Sequence, residues 1–136
     1  MKKFGIILVI FISLIFGSCS TQTTIKPVSE DTKYSKSILG YWTEGESPFA
    51  VIAFLEGGIN KGWIYEDRTK TNLIVEMEGK WWIKKKQLFN ELLKINPPFP
   101  GLNIGDIMVD QIVEISKDEM ILIDEEGQKY SNFRVK

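Results

Sequence analysis

From Ser37 onward, short apolar and aromatic runs alternate with clusters of Gly, Asp, Asn and Lys. The runs are Ile38 to Thr43, Phe49 to Leu55, Ile59 to Tyr65, Leu73 to Met77, Lys80 to Lys84, Ile107 to Ile115, Met120 to Ile123 and Lys129 to Val135. Most are rich in β-branched and aromatic side chains and recur at a spacing that predicts an all-β sandwich or barrel. Glu56-Gly57-Gly58, Lys117-Asp118 and Glu125-Glu126-Gly127 separate successive runs. Glycine supplies the positive φ that tight hairpins require. Gln87 to Ile95 is ambiguous. Leu88, Leu92 and Ile95 fall on one face of a helix, yet the segment is also compatible with a strand. Pro97, Pro98 and Pro100 end any helix there and make Asn96 to Gly105 a long irregular loop.

The first 18 residues follow another pattern. Lys2 and Lys3 precede an apolar run from Phe4 to Phe16, and the small residues Gly17 and Ser18 precede Cys19. Charge, apolar core and small-residue end are the order of a secretory leader. The run is too short for a membrane-spanning helix, which needs roughly 20 apolar residues. Ser20 to Lys36 is polar, with Ile25, Val28 and Tyr34 isolated, and reads as a flexible tether. The organisation expected is a leader at 1–18, a modified Cys19 and tether at 19–36, and a barrel at 37–136 of the 136 residues.

Cys19 is the only cysteine, so no internal disulfide forms, and a free thiol outside the cytoplasm is a liability. Phe16-Gly17-Ser18-Cys19 resembles the lipobox of bacterial lipoproteins. The resemblance implies a diacylglycerol (palmitate-type chains) on the Cys19 sulfur, removal of the leader and an acylated amine. Two or three chains make attachment effectively permanent, at about 0.8 kcal/mol per buried methylene. The protein is thus expected in the bacterial cell envelope, on the outer membrane or cell surface rather than the inner membrane. The 17 basic and 18 acidic residues give −1, and loss of Lys2 and Lys3 takes this to −3. Such a balance offers no electrostatic basis for binding nucleic acid.

Histidine is absent, which excludes His-based triads, His metal sites and a histidine general base. Lipidation of the one cysteine removes thiolate chemistry as well. Carboxylates remain: Glu44 with Glu46, Glu76 with Glu78, and the run Asp124-Glu125-Glu126. Glycoside hydrolysis needs two carboxyls about 5–10 Å apart across a cleft. Nothing in the spacing indicates that arrangement, so these are read as solvent-facing strand and turn charges. No enzyme activity, metal or cofactor is expected.

Gly40-Tyr41-Trp42 lies in the first run and Arg134 in the last. Here, and in Gly62-Trp63 and Gly79-Lys80-Trp81, the chain resembles the lipocalin-like families of the calycin superfamily. The resemblance implies a closed antiparallel meander barrel over about Ile38 to Val135, in which a basic residue of the last strand packs across the first-strand tryptophan. Gly40, Trp42 and Arg134 are then closure residues that specify fold rather than ligand; alternatively Trp42 is simply a core aromatic. A guanidinium over an indole gives a cation–π contact with donors left for carbonyls. The function expected is binding of a small apolar or amphipathic ligand, in a pocket lined by Phe54, Trp63, Tyr65 and one of Trp81 or Trp82. The last two alternate on their strand, one to the core and one outward, among Lys80, Lys84, Lys85 and Lys86. Such an exposed indole suits lipid headgroups, while the lysines also protect an edge strand. The rival reading is an envelope protein–protein module, such as an inhibitor, immunity protein or assembly factor, presenting the loop Pro97, Pro98, Phe99, Pro100.

Overall fold

The computed structural model describes residues 27–45 and 49–136. The leader, Cys19, the start of the tether and Glu46 lie outside the described residues. One helix, α1 (Glu30–Ser37), precedes eight strands: β1 (Gly40–Glu44), β2 (Ala50–Leu55), β3 (Ile59–Tyr65), β4 (Leu73–Lys84), β5 (Gln87–Asn96), β6 (Ile107–Ile115), β7 (Glu119–Ile123) and β8 (Lys129–Arg134). Each strand pairs antiparallel with the next and β8 returns to β1, closing the barrel. Among the described residues, closure gives every strand a neighbour on both sides, so no edge strand is left for another chain to extend.

Two elements depart from the sequence reading, and one segment it left open is resolved. The tether does not run unstructured to Lys36, because α1 begins at Glu30. Ser29 caps it, its hydroxyl accepting from the Thr32 N–H at 3.3 Å, and Glu30 and Asp31 lie in the first turn, where acidic residues suit the helix dipole. Leu73 to Lys84 is one strand rather than two, with a bulge between Glu78 and Gly79 absorbing the irregularity. A Cβ on Gly79 would lie 2.1 Å from the Glu91 carbonyl oxygen, so only glycine allows β4 to approach β5 there. Gln87–Asn96 is a strand, not a helix, and pairs with β4 along its length and with β6 from Gln87 to Glu91. Its helical spacing loses because the two flanking ladders satisfy its backbone and Leu88, Asn90 and Leu92 share the inward face.

The turn between β4 and β5 is Lys85-Lys86, with φ of 51° and 60°. Non-glycine residues rarely adopt this region, at a cost on the order of 1 kcal/mol each. Helix α1 offsets that cost. The Asp31 carboxylate accepts from the Lys85 N–H at 2.8 Å and the Lys86 N–H at 2.9 Å, while Glu30 pairs with the Lys86 ammonium at 2.9 Å. Asp31 and Glu30 thereby fasten α1 across one end of the barrel.

The core gathers at that same end. Ile38, Trp42, Phe54, Trp81, Leu88 and Ile112 pack with Met120 and Leu122, and Tyr34 of α1 covers them. Trp42 is fully buried and sits directly opposite Arg134 in the β1–β8 register. The guanidinium carbon lies 4.2 Å from the indole ring centroid. Its donors go to three carbonyls: Leu39 at 2.6 Å, Ser37 at 2.8 Å and Lys117 at 2.5 Å. The Trp42 indole N–H donates to the Ile38 carbonyl at 2.7 Å. Gly40 completes the arrangement. It has φ +125°, and a Cβ there would meet Arg134 Nη1 at 2.5 Å. The Gly-x-Trp pattern is therefore one steric unit with the arginine.

Candidate functional site

At the opposite end, the end of β1, the β5–β6 and β7–β8 connections and the adjoining ends of β6 and β8 border an open cavity of about 760 Å³. Its floor is apolar, made by Ile52, Phe54, Leu88, Met120 and Leu122. Its wall carries Asn90, Asp110, Tyr130 and Asn132. Asn90, Asp110 and Asn132 are buried polar residues on the inward faces of β5, β6 and β8. Asn90 accepts from the Asn60 amide at 2.9 Å through its side-chain oxygen. Asp110 takes a hydrogen bond from Tyr130. Burial pushes the Asp110 carboxyl above its ordinary range, and the neighbouring Asp124 and Glu125 charges push it further, against the opposing effect of the Tyr130 hydroxyl. Burial and the Asp110 charge likewise push the Tyr130 phenol far up, so it stays neutral.

Carboxylates dominate the rim. Glu44, Asp106, Asp124, Glu125 and Glu126 line it with Asp110 below, against Lys129 as the one cation among the described lining residues. Part of this acidity builds the rim itself. The Asp124 carboxylate accepts from the Glu126 and Gln128 N–H groups at 3.0 and 2.7 Å, and Glu125 accepts from the Val109 N–H at 3.3 Å. Asp106 accepts from the Asn103 N–H at 2.9 Å. Glu44 is the cross-strand neighbour of Asn132. Among the described residues, no acidic group converges as a metal site would.

The residues expected to line a pocket separate. Phe54 lines the cavity floor. Trp81 points inward but into the packed end, edge-on to Phe54 with ring centroids 5.7 Å apart, its indole N–H donating to the Leu55 carbonyl at 3.0 Å. Trp63 and Tyr65 do not line the cavity. Cross-strand partners share a face, and Phe54 pairs with Asn60 while Ile52 pairs with Gly62, so the inward residues of β3 are Asn60, Gly62 and Ile64. Trp63 faces out and stacks on the half-exposed Tyr41 at 6.2 Å. Trp82 also faces out, 37% exposed and stacked on Phe89 at 5.2 Å. Of the paired carboxylates, Glu76 and Glu78 alternate with the inward Val75, Met77 and Gly79 and take no part. Glu44 and the Asp124–Glu126 run were read as solvent-facing, yet they border the cavity. The Pro97, Pro98, Phe99, Pro100 segment is an exposed irregular connection between β5 and β6, with Phe99 37% exposed. A smaller recess of about 220 Å³ lies around Met77 and Ile95, beside the exposed Glu78–Lys94 pair.

No model of a known protein family matches the chain, and no curated protein does. Solved structures do. One is a lipocalin-like protein from Bacteroides uniformis, with a TM-score of 0.56 and 14% identity over 73% of this chain and 99% of that one. Another is an uncharacterized protein from Bacteroides eggerthii, with a TM-score of 0.54 and 14% identity over 72% of this chain and 99% of the other. At this identity the likeness concerns the fold, and it agrees with the closed antiparallel meander: the barrel is lipocalin-like.

Proposed function

We propose that this protein is a lipid-anchored, non-enzymatic binding module of the cell envelope whose barrel takes a small amphipathic ligand. The observation that carries this reading is the open cavity of about 760 Å³, a size within the range of small-molecule sites, with an apolar floor and a few buried polar groups above it. A packed half-barrel holds the site rigid, and the cavity enters only the other half. The anchor rests on Cys19 and its leader. Its test is Cys19→Ser, which should leave the protein unprocessed or free of membranes. A variant that loses its leader and still fractionates with membranes would contradict the anchor.

Native mass spectrometry of the full chain tests the cavity. Wild type should carry a non-covalent mass, or take one up from a panel of amphiphiles, and Met108→Trp at the cavity mouth should lose it. A wild type that neither carries nor accepts any such molecule defeats the reading. The exposed Phe99 supports the alternative, a protein-contact loop. Phe99→Ala should then abolish capture of an envelope protein and leave small-ligand binding intact.

A further inference from the structure

The distribution of charge inside the barrel narrows the ligand class, on the footing of the binding role just proposed. We propose that the cavity selects cationic amphiphiles, with an amine or ammonium head held between Glu44, Asp110 and Asn132 and a hydrocarbon body on the Phe54, Leu88 and Leu122 floor.

Three observations converge. The first is the lining itself, in which carboxylates outnumber the single Lys129. The second is Asn132. It is only 8% exposed, it lines the cavity, and its side-chain amide has no hydrogen-bond partner among the described residues. No side-chain N or O among the described residues is both sealed and unpartnered, so this amide opens on the cavity, where it is available to hydrogen-bond with a molecule that enters. Its oxygen can accept from an ammonium N–H, as can the carboxylate of Glu44, its neighbour across the β1–β8 ladder. The third is Asp110, buried beside the Asp124 and Glu125 charges with Tyr130 as its hydrogen-bonding neighbour. Among the described residues, the charges that act on it are the acidic Asp124 and Glu125 and no cation. A bound cation supplies a counter-charge, at a depth where charges interact far more strongly than in bulk water. An anionic head would meet like charges from Glu44 on β1, Asp110 on β6, Asp106 in the β5–β6 connection and Asp124 to Glu126 at the β7–β8 turn. A divalent metal fits less well, since the carboxylates do not converge on one point.

The test uses octylammonium, octan-1-ol and octanoate, which share one hydrocarbon chain and differ in the charge of the head. Each is titrated by calorimetry at neutral pH into the full chain in lipid nanodiscs, with empty nanodiscs as blank. Octylammonium should bind about tenfold or more tightly than octan-1-ol, and octanoate not measurably, given the charge interactions expected at such depth. Asp110→Asn with Glu44→Gln should weaken octylammonium by about tenfold and leave octan-1-ol unchanged. Should the double variant not fold, salt serves instead: raising ionic strength on wild type should weaken octylammonium and spare octan-1-ol. If octan-1-ol or octanoate binds as well as octylammonium, or if neither the double substitution nor salt affects octylammonium, charge selection is wrong and the cavity reading survives. If none of the three binds, both readings fall.

Discussion

At the end of the barrel crossed by α1, Ile38, Trp42, Phe54 and Met120 are buried, and the polar groups of Trp42 and Arg134 each have a partner. At the other end, the same strands present Asn90, Asp110 and Asn132 inward around open space, and Asn132 has no partner among the described residues. One half is optimised for closure. The other holds polar groups that open on the cavity. The packed end fixes the strand register, which leaves the polar end free to open around the cavity.

Substitutions at the packed end should therefore all destabilise. Trp42→Ala removes the largest fully buried side chain and should cost about 3–5 kcal/mol, seen in urea unfolding. Arg134→Ala comes next. It deletes a stacked cation and donors to three carbonyls, and about 2–4 kcal/mol is expected. Arg134→Lys should restore only part, because lysine lacks the planar fork that reaches Ser37 and Leu39 together. Full recovery by lysine would mean that charge alone, not the fork geometry, closes the barrel. A double-mutant cycle with Trp42→Phe isolates the ring contact.

A smaller effect sits at the rim of the packed end. Asp31→Ala frees the two strained turn amides of Lys85 and Lys86 and should cost about 1 kcal/mol, together with loss of α1 protection in hydrogen exchange. Introducing Lys85→Asn and Lys86→Gly in that background should recover stability, because asparagine and glycine adopt positive φ more readily. If Asp31→Ala leaves α1 protected, the helix is held by Tyr34 and Ile38 packing rather than by the turn.

These features were unequally legible in the chain. Gly40, Trp42 and Arg134 could be read because each does one job that few residues do: the glycine makes room, the indole fills, the guanidinium stacks. The Lys85-Lys86 turn could not be read, since no glycine or asparagine marks it and its partner, Asp31, is more than 50 residues away. The same contact explains why a polar segment that looks like tether becomes α1. The cavity was misread for a different reason. Alternation assigns apolar residues inward, but here Asn60, Asn90, Asp110 and Asn132 face inward beside the apolar core, while Trp63 and Trp82 find stacking partners outside. A strand lining a polar cavity reverses the contrast that sequence patterning relies on. Its acids read as solvent-facing when their solvent is the cavity.

Asp110→Asn supplies the smallest expected change and the one that most directly separates the two ends, because its sign is opposite. The folded protein holds the Asp110 proton more tightly than the unfolded chain does, since burial and the Asp124 and Glu125 charges disfavour the anion. A raised carboxyl pKa means that the native state binds more protons than the unfolded state in the window between the ordinary carboxylate value of 3.8 and the higher folded value. Stability contributed by this group therefore falls as pH rises through that window, and the penalty is fully present above it. Below the ordinary value both states are protonated and the penalty vanishes. Asparagine keeps the shape, can still accept from Tyr130 and carries no charge. The variant should thus be slightly more stable than wild type at neutral pH, by less than any of the losses above, and equal to it in acid. Urea midpoints measured across the acidic to neutral range read this directly. A variant that loses stability at neutral pH, in parallel with those of the packed end, would show that Asp110 is a structural member of the barrel rather than a group held ready for a ligand.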